Sequence, residues 1–260
     1  MVLYVVYRAP RESKSRSILP HRLEELGCRR VCRSFLEVDE ERVNRVLKAL
    51  EKNQPILLKR IRDIRKPRFG RNEGISDLGS LVIVMYATPK EAKREKIKII
   101  LRKAPYIRLC RSVYAFSQMH PFFDKNKELV DALKFAGFIR EIREDVKVIP
   151  RVVIVDKGSI ERLLEETRQR VENEISSINR CCKELHTKAL EGELEAGQVR
   201  DALSKNRRRF ITVKKAAAFY GKWLRMDFSR SLMKSYRAVA KVNSVLEREQ
   251  EKRSGYEETL

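Results

Sequence analysis

Apolar positions fall into two similar blocks followed by a long helical tail. Leu3–Tyr7 and Leu81–Tyr86 are unbroken apolar runs, short enough to be strands buried on both faces. A proline follows each run, Pro10 or Pro89, and ends the strand. Each block then has a basic segment with apolar residues at helical spacing. These are Leu19, Leu23 and Leu26 in the first and Ile97, Leu101 and Ala104 in the second. Pro20 is expected in the first turn of its helix or at a kink. Arg30–Val38 and Ile107–Ser117 are each long enough for two short strands joined by a hairpin near the serine. A second helix is expected from Asp39, burying Val43, Val46, Leu47 and Leu50. Its counterpart is expected from about Asp124 to Ala136, aligning Leu129, Leu133 and Ala136. Pro55–Ile64 and Phe138–Ile149 read as closing strands, and the glycine-bearing stretch Gly70–Gly79 as the connection between the blocks.

The blocks are copies of one another. Tyr7 and Pro10 recur as Tyr86 and Pro89 at an offset of 79 residues, and Cys32-Arg33-Ser34 recurs as Cys110-Arg111-Ser112 at an offset of 78. A shared tripeptide alone would mean little, but this one is in register with a shared Y-x-x-P. The order in each copy is strand, helix, two strands, helix, strand, which is the ferredoxin-like arrangement.

After Val155 the spacing changes to threes and fours: Ile160, Leu164, Thr167, Val171, Ile175, Ile178, Cys182 and Leu185 form the seam of a long amphipathic helix. Gly192 and Gly197 are expected to break it. Phe210, Val213, Ala217, Tyr220 and Leu224 mark a second helix, and Phe228, Leu232, Tyr236, Val239, Val242 and Leu246 a third. The expected class is therefore α+β: two tandem ferredoxin-like (βαββαβ) domains at residues 1–72 and 80–155, then a basic α-helical bundle or arm at 156–260.

Charge changes the picture more than any single motif. The 260 residues hold 58 Lys plus Arg against 36 Asp plus Glu, a net +22 that favours polyanionic partners. Two stretches concentrate it. The first is Lys59, Arg60, Arg62, Arg65, Lys66, Arg68 and Arg71, with Asp63 the only acid among them. The second, from Arg200 to Lys241, has 13 cations against Asp201 and Asp227. It includes Arg207, Arg208, Arg209, Lys214, Lys215 and Lys222, with Phe210, Tyr220 and Trp223 interleaved. The cations suit phosphate neutralisation. The aromatics suit core packing better than base stacking.

No run reaches the ~18 apolar residues of a membrane span, and no signal peptide is evident, so no membrane partner is expected. Five cysteines, an odd number, fall inside apolar patterns. Reduced thiols and a cytoplasmic setting follow as expectations. The abundance of Lys, Arg and Glu with few Gln hints at a heat-adapted source.

Catalytic motifs are sparse. His21, His120 and His186 lie in separate segments, and no HExxH, P-loop or nucleophile-elbow pattern occurs. Cys28 and Cys32 lack the second half of a zinc site, so no metal or cofactor is expected.

The apolar strand ending in tyrosine, the proline turn, the basic helix and the Ser34-Phe35 and Ser112-Val113-Tyr114 strand pairs resemble the CRISPR-associated Cas-two family. They are also similar to the C-terminal part of phenylacetate-type (PaaX) repressors. The resemblance covers about residues 2–155. It implies a fused pseudo-dimer, since members of the family pair through their last strands. It also implies a metal-holding aspartate just after the first strand. Arg8 and Ala87 stand at the matching positions, which argues against metal-dependent cleavage, because a cation there repels Mg²⁺. Arg8 becomes a candidate phosphate contact in a former catalytic cleft, the other reading being a surface arginine at a strand end.

The expectation is a non-catalytic nucleic-acid-binding protein, duplex DNA favoured over RNA, of a regulatory, defence or mobile-element kind. One alternative is a nuclease using Glu12 and Glu91, which are equivalent in the two copies. Another is a scaffold that binds a protein partner, or itself, through the C-terminal helices.

Overall fold

The computed structural model describes residues 2–9, 13–70, 74–87, 91–118, 128–142 and 145–257, with side chains described except at 13–17, 91, 92 and 248–257. The chain forms an α+β structure of two compact units, Met1–Thr167 and Arg168–Leu260.

In the first unit, β1 (Leu3–Val6), α1 (Ser13–Glu25), β2 (Arg29–Cys32), β3 (Phe35–Val38), α2 (Val43–Ala49) and β4 (Ile56–Arg60) follow in order. A short hairpin, β5 (Arg68–Phe69) and β6 (Ile75–Asp77), occupies the expected connection. Then come β7 (Leu81–Tyr86), α3 (Glu91–Arg102), β8 (Ile107–Cys110), β9 (Val113–Ser117), α4 (Ala132–Ile142) and β10 (Val146–Ile154). Pro20 lies in the interior of α1 rather than in its first turn, so α1 lacks the bond that amide would donate.

Eight strands make one sheet in the order β2-β3-β1-β4-β10-β7-β9-β8. All its pairings are antiparallel. The order is palindromic about the β4–β10 pair: β2-β3-β1-β4 on one side is matched by β8-β9-β7-β10 on the other. Details match as well. The Tyr7 amide donates to Ser34 O at 3.1 Å, and the Tyr86 amide to Ser112 O at 3.1 Å. Each hairpin slips register just before its turn, between Arg30 and Cys32 and between Arg108 and Cys110.

β10 serves both halves. Its first part pairs with β7 and its last with β4, with an irregularity between Ile149 and Val152 where Arg151 takes φ +57°. The Ile61 amide donates to Arg151 O, and Arg151 Nη1 to Arg62 O, so the bulge also anchors the chain leaving β4.

Each half has a helix-side core. One gathers Leu3, Val5, Tyr7, Leu19, Leu23, Leu36, Val46 and Leu50; the other gathers Val82, Val84, Tyr86, Ile97, Leu101, Tyr114, Phe116, Phe135 and Ile139. The opposite faces are buried too: Tyr4, Val6, Phe35, Ile56 and Leu58 in one half, and Leu81, Ile83, Met85, Ile107, Leu109, Val113 and Ala115 in the other. An open sheet with helices on one side would leave these faces wet. Their burial follows if the sheet bends at β4–β10 and lays its two halves against each other. Lys147 of β10 donating to Val31 O of the far edge strand is the same closure seen in a single bond.

Two boundaries differ from expectation. The second helix of the second half runs Ala132–Ile142, so Phe138 lies in it and not in the last strand; residues 119–127 are outside the described set. It buries Ala132, Phe135, Ala136 and Ile139, while Leu133 is 65% exposed. Two apolar sets share that segment at helical spacing, and the bulkier Phe135/Ile139 set covers more sheet. β4 stops at Arg60, leaving Ile64 65% exposed. The first compact unit extends to Thr167, inside the long helix. The first turns of the long helix belong with the sheet: Ser159 Oγ donates to Pro55 O, and Ile160 and Leu163 are buried.

The remaining helices are α5 (Lys157–Leu190), α6 (Ala196–Leu224) and α7 (Ser229–Glu257). The Asp156 carboxylate accepts the Ser159 amide at 2.6 Å and caps α5, which holds that carboxyl below its usual range. Gly192, at φ +70°, follows the end of α5. Gly197 does not break a helix: it sits in the first turn of α6, which Glu195 and Gln198 close as a capping box. Within the second unit, Val171, Ile175, Ile178 and Cys182 of α5, Phe219, Tyr220 and Trp223 of α6 and Val239, Val242 and Leu246 of α7 are buried. Arg170 Nη2 donates to Tyr220 Oη at 2.7 Å, and Ser235 Oγ to Ile175 O at 3.1 Å, tying α5 to both other helices. Leu163 and Ser235 take the inward positions expected of Leu164 and Tyr236; Tyr236 is 59% exposed.

Gly79 provides a stability test. It adopts φ +74°, and a Cβ there would lie 2.8 Å from Arg65 O and from Pro67 N. Gly79→Ala is expected to cost about 2 kcal/mol or more, read as a lowered thermal midpoint, because both the backbone region and the space are wrong for a side chain.

Candidate nucleic-acid interface

The first basic stretch leaves the sheet at the end of β4. Its backbone is pinned: Arg65 N donates to Ser80 Oγ at 2.7 Å, Ser80 N donates back to Arg65 O at 2.9 Å, and Arg151 holds Arg62 O. Arg60, Arg62, Arg65, Lys66 and Arg68 are exposed and Lys59 is half-buried. None of these six forms an ion pair among the described residues. Arg60 lies at the Tyr4 hydroxyl. Arg71 is outside the described residues. A fixed backbone carrying outward cations suits phosphate contact, because little loop ordering remains to oppose binding.

The second stretch is a stripe along α6. Residues seven apart share a helix face, which aligns Arg200, Arg207 and Lys214 in one row and Arg208, Lys215 and Lys222 beside it. Arg200, Arg207, Arg208, Lys214 and Lys222 are exposed, opposite buried Val199, Leu203, Val213 and Tyr220. Lys215 is half-buried. From Arg200 to Lys222 the stripe is about 33 Å long.

Arg209 does not belong to this stripe. Its guanidinium donates to Glu174 Oε1 at 2.9 Å and Ser177 Oγ at 3.3 Å, with only 31% of the side chain exposed. The arginine triplet is therefore two surface cations and one helix–helix tie. Tyr220 and Trp223 stack in the core, with ring centroids 6.2 Å apart, as core packing requires.

Arg8 is likewise engaged. Its Nη2 donates to both Glu166 carboxylate oxygens, at 2.6 Å to Oε1. Sequence reasoning proposed Arg8 as a free phosphate contact. It had no means to see Glu166, 158 residues away.

Around this pair the two halves border an open cavity of about 1120 Å³ that sequence reasoning missed. It is lined by Arg8, Cys32, Arg33 and Ser34 from one half and by the equivalent Ala87, Cys110, Arg111 and Ser112 from the other, with Arg108, Asp145, Lys147 and Glu166. The repeated Cys-Arg-Ser was the available signal. Its arginine and serine form the hairpin turns, where the sequence placed them. Burial pushes the Cys32 thiol up and the Cys110 thiol up to about 12, so both stay protonated at neutral pH.

Among the described residues, no group of three His, Cys, Asp or Glu is placed to hold a metal. Glu12 is outside the described residues, and Glu91 opens α3. All five cysteines are free thiols, and no described helix is long and apolar enough to cross a membrane. Comparison with protein-family models, curated proteins and solved structures finds no match to this chain.

Proposed function

We propose that this chain is a non-catalytic nucleic-acid-binding protein, favouring duplex DNA, built on two tandem ferredoxin-like copies related as the subunits of a fused pseudo-dimer. The observation that carries the binding is the placement of its cations: Arg60–Arg68 project from a pinned segment, and Arg200, Arg207, Arg208 and Lys214 from one face of α6. The strand orders β2-β3-β1-β4 and β8-β9-β7-β10 support the ferredoxin-like assignment and, with it, the similarity to the Cas-two family and to the C-terminal part of PaaX-type repressors. The five free thiols fit a reducing, cytoplasmic setting. Spacing along a helix face matches a phosphate backbone without reading base edges, so little sequence preference is expected.

The test is a binding series on the full chain with labelled duplex DNA, single-stranded DNA and RNA at low salt. Micromolar or tighter binding, strongest for duplex DNA, is expected. Failure to bind any polyanion would leave the helical unit as a protein-binding scaffold. Incubation with Mg²⁺ or Mn²⁺ is expected to leave the nucleic acids intact, because Arg8 and Ala87 offer no oxygen ligand where cleavage would need one. Cleavage that disappears in the Glu12→Ala, Glu91→Ala double variant would establish the nuclease alternative instead.

A further inference from the structure

The cavity between the two hairpin turns is unlike the surface stripes. Its walls come from both halves of the sheet, and Cys110, Ser34 and Ser112 on them are buried. Five cations line it against two acids, Asp145 and Glu166. Three of the five are committed: Arg8 to Glu166, Lys147 to Val31 O at 2.9 Å, and Arg108 to Cys110 O at 3.4 Å. Arg33 and Arg111 remain, and neither forms an ion pair among the described residues.

These two arginines occupy equivalent positions in the palindromic sheet, at the turns that follow Cys32 and Cys110. The same cavity is therefore lined by one arginine from each half, at positions related by the palindromic strand order. Two like charges bordering one cleft favour an anion between them. Guanidinium matches phosphate bidentately. The volume is at the upper end for small-ligand sites, more than a single phosphate requires.

We propose that this cavity binds one small ligand carrying two separated phosphate groups, of dinucleotide size, with Arg33 on one phosphate and Arg111 on the other. The site is separate from the polynucleotide surface: none of the exposed cations of the Arg60–Arg68 segment or of α6 lines it.

The test is calorimetric titration of the full chain with a cyclic dinucleotide, a linear 5′-phosphorylated dinucleotide, inorganic pyrophosphate and a nucleoside monophosphate. At least one dinucleotide is expected to bind once per chain and at least tenfold more tightly than the monophosphate. Pyrophosphate, whose phosphates are adjacent, is expected to bind no better than the monophosphate. Arg33→Gln and Arg111→Gln are each expected to weaken dinucleotide binding about tenfold, since each removes one charged hydrogen-bonding partner. Both residues are exposed turn arginines, so the variants are expected to melt as the parent does, and a melt on each verifies this. Duplex DNA is expected not to displace the dinucleotide, and Arg207→Ala, Arg208→Ala is expected to leave dinucleotide affinity unchanged. Equal binding of mono- and bis-phosphates, a pyrophosphate affinity matching the dinucleotide, unchanged binding in the double glutamine variant, or displacement by duplex DNA would each overturn the assignment. Loss of duplex binding with dinucleotide binding retained would overturn only the proposed nucleic-acid function.

Discussion

The affinity of the full chain for duplex DNA is expected to fall about a thousandfold between roughly 50 and 200 mM salt, if about six phosphates are neutralised. Each neutralised phosphate releases condensed counterions and adds roughly 0.9 to the slope of log affinity against log salt. The exposed cations on the Arg60–Arg68 segment and along α6 are more than enough to make six contacts. Arg207→Ala, Arg208→Ala is expected to flatten the slope by about two units and leave the melting temperature unchanged, because exposed charges contribute little to stability. Arg209→Ala is expected to do the reverse. It leaves the salt slope intact and destabilises the helical unit by about 1 kcal/mol, because Glu174, 29% exposed, loses its partner. Fluorescence anisotropy across a salt series, with a melt on each variant, separates the two effects. A double variant whose slope equals that of the parent would remove α6 from the interface and leave the Lys59–Arg68 segment as the site.

Stability is expected to decline steeply above pH 9. The Cys110 thiol is pushed from an ordinary value of 9.0 up to about 12 by burial, with the nearby Cys32 adding to the rise. A group whose folded value is raised contributes its full stabilisation below the unfolded value and loses it as pH climbs toward the folded one. The window is therefore pH 9 to about 12, and Cys110 alone is worth about 4 kcal/mol across it, at about 1.4 kcal/mol per unit. Tyr7, Tyr86 and Tyr114 are shifted upward by burial as well, so they act in the same direction from about pH 10. Burial also raises the Cys28, Cys32 and Cys182 thiols, so denaturant midpoints measured between pH 7 and 11 should show the loss, and Cys110→Ala should shrink it without abolishing it. An identical profile in parent and variant would show that this thiol is not the group titrating.

Much of this architecture was legible in the residues. The two apolar runs, the shared Y-x-x-P and Cys-Arg-Ser, and the hairpins at the serines predicted the strands that were found, because a strand buried on both faces leaves a continuous apolar signature. The three-helix tail was legible for a similar reason, its seam repeating over many turns. Boundaries were weaker. Phe138 was placed in a strand but lies in α4; Leu129 and Ala136 of the expected face are buried while Leu133 is exposed, and only the sheet decides which positions it covers. The cations illustrate a different limit. Arg8 and Arg209 looked like their exposed neighbours in sequence, yet each is held by a distant glutamate, Glu166 or Glu174. One-dimensional charge counting cannot find such a partner. The cavity was hidden for the same reason: its lining residues lie far apart along the chain and meet only when the sheet bends.

Carrying both halves of the β4–β10 seam on one polypeptide has an evolutionary consequence. In an assembly of two identical subunits, any substitution appears on both sides of the axis, and a change useful on one side must be tolerated on the other. A single chain escapes that constraint. Position 8 is an arginine clasped by Glu166, while its equivalent, position 87, is an alanine. The halves could drift apart residue by residue without losing their pairing, and their union does not weaken on dilution. A site bordered by both halves of one chain is free to be lopsided, with one lobe specialised and the other merely structural.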